Sequence, residues 1–326
     1  MADARARCWH YGFVSVENDR VDVRGTTSFV GLSFLLAWPA AIPLYTTGEG
    51  LNWAWSPVVI VAMMFAPGIA ALVVRKWISP GGSIPRGLGL TTSDGVRAWW
   101  GYAVLAWFGP LLLGVLALVV GWAVGAYRPD WFGFSGLASN FGPGGGAPVA
   151  PLVGTQLVQI VVFGWLNAIP TFGSELGWRG YLVPALLPLG QPAAILISGV
   201  LWALWHAPLL VLGYHYPGAP VVAAFAMMLC YGVLISALLS WLRLASGSIW
   251  PVAIAHGFLN ASAGFAMLFS SAGTPVDATS TGLLGWSGWP VLIVAILLLA
   301  LFNRLPVPLP EEKPTLTKGV RRLTRR

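Results

Sequence analysis

Eight apolar runs divide the chain, at 27–46, 53–74, 98–125, 152–172, 192–213, 219–241, 249–270 and 283–303. Each is close to the roughly 20 residues that a helix needs to cross a bilayer. Trp and Tyr gather near the run ends, at Trp53, Trp55, Trp99, Trp100 and Trp241, as they do in interfacial aromatic belts. The pattern predicts an all-α fold, a polytopic transmembrane helix bundle of about eight spans.

Composition agrees. Hydrophobic residues make up 57% of the 326-residue chain and charged residues 9%, with a mean hydropathy of +0.75. A soluble domain carries roughly 25% charged residues. The net charge of +7 changes the picture only through its placement. With both termini on the cytoplasmic side, every basic residue except Arg128 falls inside, as the positive-inside rule requires. A wrong helix count would scramble that split. The expectation is a multi-pass protein of the cell (plasma) membrane, N-in and C-in, with membrane lipid around it and no nucleic acid as partner.

Several segments are read more simply. Residues 1–26 are mixed and charged, without the apolar region of a signal peptide, so the first run reads as a retained anchor. Cys8 and Cys230 lie far apart and read as free thiols. The loop at 126–150 is Gly/Pro-rich and reads as external and irregular. The tail from Pro306 is Pro-rich and then basic, a charge that sets topology or touches anionic headgroups. The absence of an internal repeat speaks against an inverted-repeat transporter.

Ionisable side chains at membrane depth are few. From 152 onwards the acids are Glu175, the loop residue Asp277 and the tail pair Glu311 and Glu312. His206 and His256 sit well inside apolar runs. A charge at the bilayer centre costs about 2.5–3.5 kcal/mol on insertion scales, so such groups usually face the bundle interior and carry function. Glu175 and Arg179 are four apart, as are His256 and Asn260, and Trp202 and His206. Each pair shares a helix face. Pro170, Gly173 and Gly177 are expected to break or bend the chain around Glu175, which is tolerated where backbone lines a cavity. An acid, two His and an Asn around a wet pocket suit hydrolysis, with a proton-accepting group and oxyanion donors. The bland alternatives are a structural Glu175–Arg179 ion pair and helix-to-helix hydrogen bonds from the His. His215, between Tyr214 and Tyr216 in a short external loop, reads as interfacial rather than catalytic.

Three strings resemble the motifs of one family. Ser174-Glu-Leu-Gly-Trp-Arg-Gly-Tyr-Leu-Val-Pro184 resembles the first motif, E-E-x-x-x-R, of the CPBP (CAAX prenyl protease and bacteriocin-processing, or Abi) intramembrane proteases. Trp202-Ala-Leu-Trp-His206 resembles the second and His256-Gly-Phe-Leu-Asn260 the third. The resemblance covers about 150–265. It implies a CAAX-protease-like eight-helix fold and an endopeptidase that cuts a peptide or protein substrate near the cytoplasmic membrane face. The implied catalytic residues are Glu175, Arg179, His206, His256 and Asn260, with Ser174 and Trp202 lining the pocket. The richness in Gly, Pro, Ala and Trp points to a bacterial source.

The corresponding division is 1–26 cytoplasmic segment, 27–150 N-terminal helices, 151–270 CPBP-like core, 271–305 last helix and 306–326 basic tail. Position 174 departs from the family, because the first Glu of the motif is Ser174, and serine at its ordinary pKa is no general base. A binding or bacteriocin-immunity protein on the same fold therefore stands as the alternative, and a proton-coupled transporter as a lesser one. Cofactor use stays open. Glu175, His206 and His256 match a zinc ligand set, as the name metalloprotease for the family suggests. Their spacing is not H-E-x-x-H, and a carboxylate-activated water needs no metal.

Overall fold

The computed structural model describes residues 20–92, 95–139 and 148–307. Cys8, the middle of the 126–150 loop and the tail beyond 307 lie outside the described residues. Within them the chain is helical and without strands. Six helices are long and apolar enough to cross a membrane: α1 (Val23–Thr46), α2 (Ser56–Ile78), α3 (Trp100–Ala123), α4 (Val149–Leu189), α6 (Val221–Ser246) and α7 (Trp250–Leu268). The two remaining predicted spans are the shorter apolar helices α5 (Gln191–Trp205) and α8 (Trp286–Leu301). At 1.5 Å per residue, the 15 residues of α5 reach about 22 Å, less than the roughly 30 Å of a hydrocarbon core. A turn at His206 and the short helix Ala207–Val211 extend it.

Contacts between helix ends sort the bundle into two ends. At one, Asp22 accepts from the Gly25 N–H at 3.0 Å and caps α1, and Ser79 after α2 donates to the same carboxylate. Gly89 accepts from the Ile249 N–H at the start of α7 (2.9 Å), and Gln191 donates to the Val307 carbonyl (2.6 Å). At the other, Trp38 donates to the Trp205 carbonyl (3.2 Å), Tyr216 to Leu284 (3.1 Å) and Tyr127 to Ala266 (2.7 Å). The short helices α5 and α8 thus begin at one end and finish at the other, like their longer neighbours. Arg24, Arg75, Lys76, Arg86, Arg97 and Arg243 sit at or near the first end, the basic end. Arg128 is with the second.

Small residues let the helices that carry the site approach closely. A Cβ on Gly257 of α7 would stand 2.5 Å from the Gly164 carbonyl oxygen of α4. Thr171 of α4 donates to the Ala253 carbonyl of α7 at 2.9 Å. A Cβ on Gly177 would meet Pro67 of α2 at 2.5 Å, and one on Gly173 would meet Phe65 at the same distance. These glycines serve packing rather than interruption. The helix is not broken at Glu175 but continues as a seven-residue π-type stretch, Leu176–Leu182, a form often found at functional sites. Outward faces are apolar: Val158, Val162, Phe163, Leu166 and Ile169 of α4 are exposed, as lipid contact would have it.

Candidate active site

Glu175, the last residue before the π-type stretch, is wholly buried, as is Arg179. Arg179 Nη1 donates to both carboxylate oxygens, at 2.9 Å to Oε1 and 3.1 Å to Oε2. The predicted pair therefore forms. Oε1 also receives His256 Nδ1 at 2.7 Å. The His256 ring is thereby fixed by an acid that is itself fixed by a cation. The guanidinium lies over the Trp202 ring, 5.4 Å from its centroid, a favourable placement for a buried cation.

His206 reaches the same place from the C-terminal end of α5. Its Nδ1 lies 2.8 Å from the Trp202 carbonyl. A carbonyl only accepts, so Nδ1 carries the proton and Nε2 is left with its lone pair. Trp202 packs against both imidazoles, with ring centroids 4.8 Å from His206 and 5.6 Å from His256. The Nε2 atoms of both His have no hydrogen-bond partner among the described residues.

Both rings line one cavity of about 470 Å³, together with Ser174, Trp202, Asn260 and Tyr231. Every sequence-derived candidate except Glu175 and Arg179 has a face on it. Glu175 lies behind the wall, its carboxylate occupied by Arg179 and His256, while its neighbour Ser174 looks into the space. Successive helix residues are turned about 100° from one another, which is why adjacent positions face such different surroundings. No Asp, Glu, Lys or Arg lines the cavity.

His215, read from the sequence as interfacial rather than catalytic, also borders the cavity. Its ring centroid lies 6.0 Å from that of His206 and 4.0 Å from that of Tyr214. Its backbone is in the left-handed region, φ 68°, which is uncommon outside glycine. Burial and the neighbouring His256 push its imidazole pKa down, to about 4. The sequence signal that marks it is the pair of glycines around it, Gly213 and Gly218, both of positive φ. They fold the loop back over the α5 terminus.

The motifs now have a shared geometry. Residues 154–262 match the Rce1-like family, the type II CAAX prenyl endopeptidases. The match holds all three motifs, from Ser174 to Asn260, and agrees with the family that the sequence resembles. Helices α1, α2, α3 and α8 lie outside the matched segment. No curated protein matches the chain.

A zinc ligand set is not assembled in the matched segment. Among the described residues, no group of three or more His, Cys, Asp or Glu side chains is placed to hold a metal ion. Of the three candidates, Glu175 does not line the cavity and is hydrogen-bonded to Arg179 and His256, which leaves two imidazoles on it. The donors present do not fit the metal.

Proposed function

We propose that the protein is an intramembrane endopeptidase of the CAAX-protease type in which His256, backed by Glu175, takes the proton from the attacking water. The observation that carries this reading is the chain Arg179–Glu175–His256, with its 2.7 Å carboxylate–imidazole contact. A carboxylate on Nδ1 holds the ring with Nε2 turned to its reaction partner and stabilises the imidazolium that forms. Water between the rings gives a proton to His256 Nε2 as its oxygen adds to the peptide carbonyl carbon. His206 Nε2 accepts the other water proton as a hydrogen bond and orients the molecule. Asn260 and the Ser174 hydroxyl are donors for the oxyanion. His256 then returns its proton to the nitrogen of the breaking C–N bond, so the products are an acid and an amine. Glu175 is thus a positioning residue and not the base. The bacterial source and plasma membrane expected above belong to this proposal.

Purified protein in detergent with a quenched peptide library tests it. Cleavage that His256→Ala reduces at least a hundredfold supports the reading, because general acid–base groups contribute about 10²–10⁴-fold. Equal cleavage by wild type and His256→Ala would sink it.

Binding or bacteriocin immunity is favoured by one observation, the hydroxyl of Ser174 where the family motif has a carboxylate, on a cavity lined by no acid. Ser174→Glu separates the two. Activity that arises only in Ser174→Glu supports the binding protein; strong activity in wild type rejects it.

A further inference from the structure

The cavity belongs to one half of the bundle. Its walls include Tyr214 and His215, after α5, and Val276, Ala278, Leu283 and Leu284, before α8. These loops form the end opposite the basic one. None of the residues between Arg75 and Arg97, between Glu175 and Gln191, or between Arg243 and Trp250 lines it. On the basic side of Ser174 in α4 follow the buried Glu175–Arg179 pair and Trp178, which is 0% exposed, and none of the three lines the cavity. The basic end is the cytoplasmic one by the positive-inside rule.

We propose that substrate reaches the site from the non-cytoplasmic half of the membrane, as an apolar, uncharged peptide stretch such as the outer end of a membrane-embedded segment. The substrate part of this rests on the endopeptidase reading; the side of access does not. It reverses the expectation of a cut near the cytoplasmic face. The chemistry follows from the walls. Ile60, Met64, Leu118, Leu209 and Leu259 are apolar, and the polar groups are neutral donors and imidazoles. A Lys or Asp beside the cut bond would lose its water without gaining a partner.

Single thiols test the side of access, on a background in which Cys8→Ser and Cys230→Ser remove the native ones. Ser174→Cys and Leu259→Cys report on the cavity, and Arg86→Cys on the basic end. The reagent is a membrane-impermeant sulfonated thiosulfonate, applied to right-side-out and to inverted vesicles. We expect the two cavity thiols to react in right-side-out vesicles and Arg86→Cys only in inverted ones. Reaction of the cavity thiols only from the side that labels Arg86→Cys overturns the proposal. So does failure of both cavity thiols to react from either side.

A quenched apolar peptide supplied to vesicles of the Cys8→Ser, Cys230→Ser background, with Ser174 and Leu259 intact, should be cleaved only in right-side-out ones. A version with Lys or Asp beside the cut should show at least tenfold lower kcat/KM, and equal rates overturn the substrate assignment. Cavity labelling as expected with no cleavage on either side defeats the endopeptidase reading while it upholds the side of access.

Discussion

Glu175 Oε1 lies 2.7 Å from His256 Nδ1, and the same oxygen lies 2.9 Å from Arg179 Nη1. One carboxylate thus joins two tasks, to neutralise a buried guanidinium and to hold an imidazole. The two are separable by mutation. Glu175→Gln leaves Arg179 buried without its counter-charge, at a cost of about 3–5 kcal/mol. Glu175→Gln with Arg179→Met removes both charges and should recover most of that stability. Activity should stay low in both, because His256 has lost its carboxylate. Thermal unfolding and peptide cleavage of the two variants, side by side, check this; recovery of activity along with stability would contradict it.

The backbone of His215 holds a left-handed conformation at φ 68°, a state that costs an ordinary residue about 1–2 kcal/mol. His215→Gly should therefore leave stability unchanged or raise the Tm. A ring that is part of the site should, on removal, lower activity or alter substrate preference. A fall in Tm would show that ring packing against Tyr214 outweighs backbone strain.

Close packing of α4 and α7 sets the alignment of Glu175 with His256. Gly257→Ala places a methyl 2.5 Å from a backbone oxygen of α4, and overpacking typically costs about 1–3 kcal/mol. The expected result is a lower Tm with a lower kcat at nearly unchanged KM. An unchanged kcat would show that the pair tolerates helix displacement.

Much of this arrangement was legible in the sequence, and the reasons are physical. Lipid-exposed runs tolerate few polar residues, so Glu175, Arg179, His206, His256 and Asn260 stood out by contrast alone. The four-residue spacings correctly paired Glu175 with Arg179 and placed Trp202 against His206. What was not legible depends on tertiary contacts. A regular helix and a π-type stretch share one apolar pattern, so Leu176–Leu182 gave no signal. The orientation of Glu175 away from the cavity depends on how α4 meets α2 and α7. The place of His215 on the cavity was not legible because loop folding, not periodicity, carries it there.

At the basic end, the Gly25 N–H and then the Ser79 hydroxyl hold the Asp22 carboxyl below its ordinary value. A depressed carboxylate contributes stability above its unfolded pKa of about 3.9 and loses it as pH falls through the folded value. Asp22→Asn keeps a capping oxygen but no charge. Wild type should be more stable than Asp22→Asn at pH 7, with the gap closing below about pH 4. Asp22→Ala should cost about 1 kcal/mol at neutral pH. Unfolding in graded denaturant at several pH values reads both; a gap that widens on acidification would contradict the assignment.

The most direct test of the central claim is the initial rate of peptide cleavage by wild type and by His256→Ala in one detergent, at matched folded protein. The account predicts cleavage by wild type and at least a hundredfold slower cleavage by His256→Ala. Equal rates in the two proteins would contradict it.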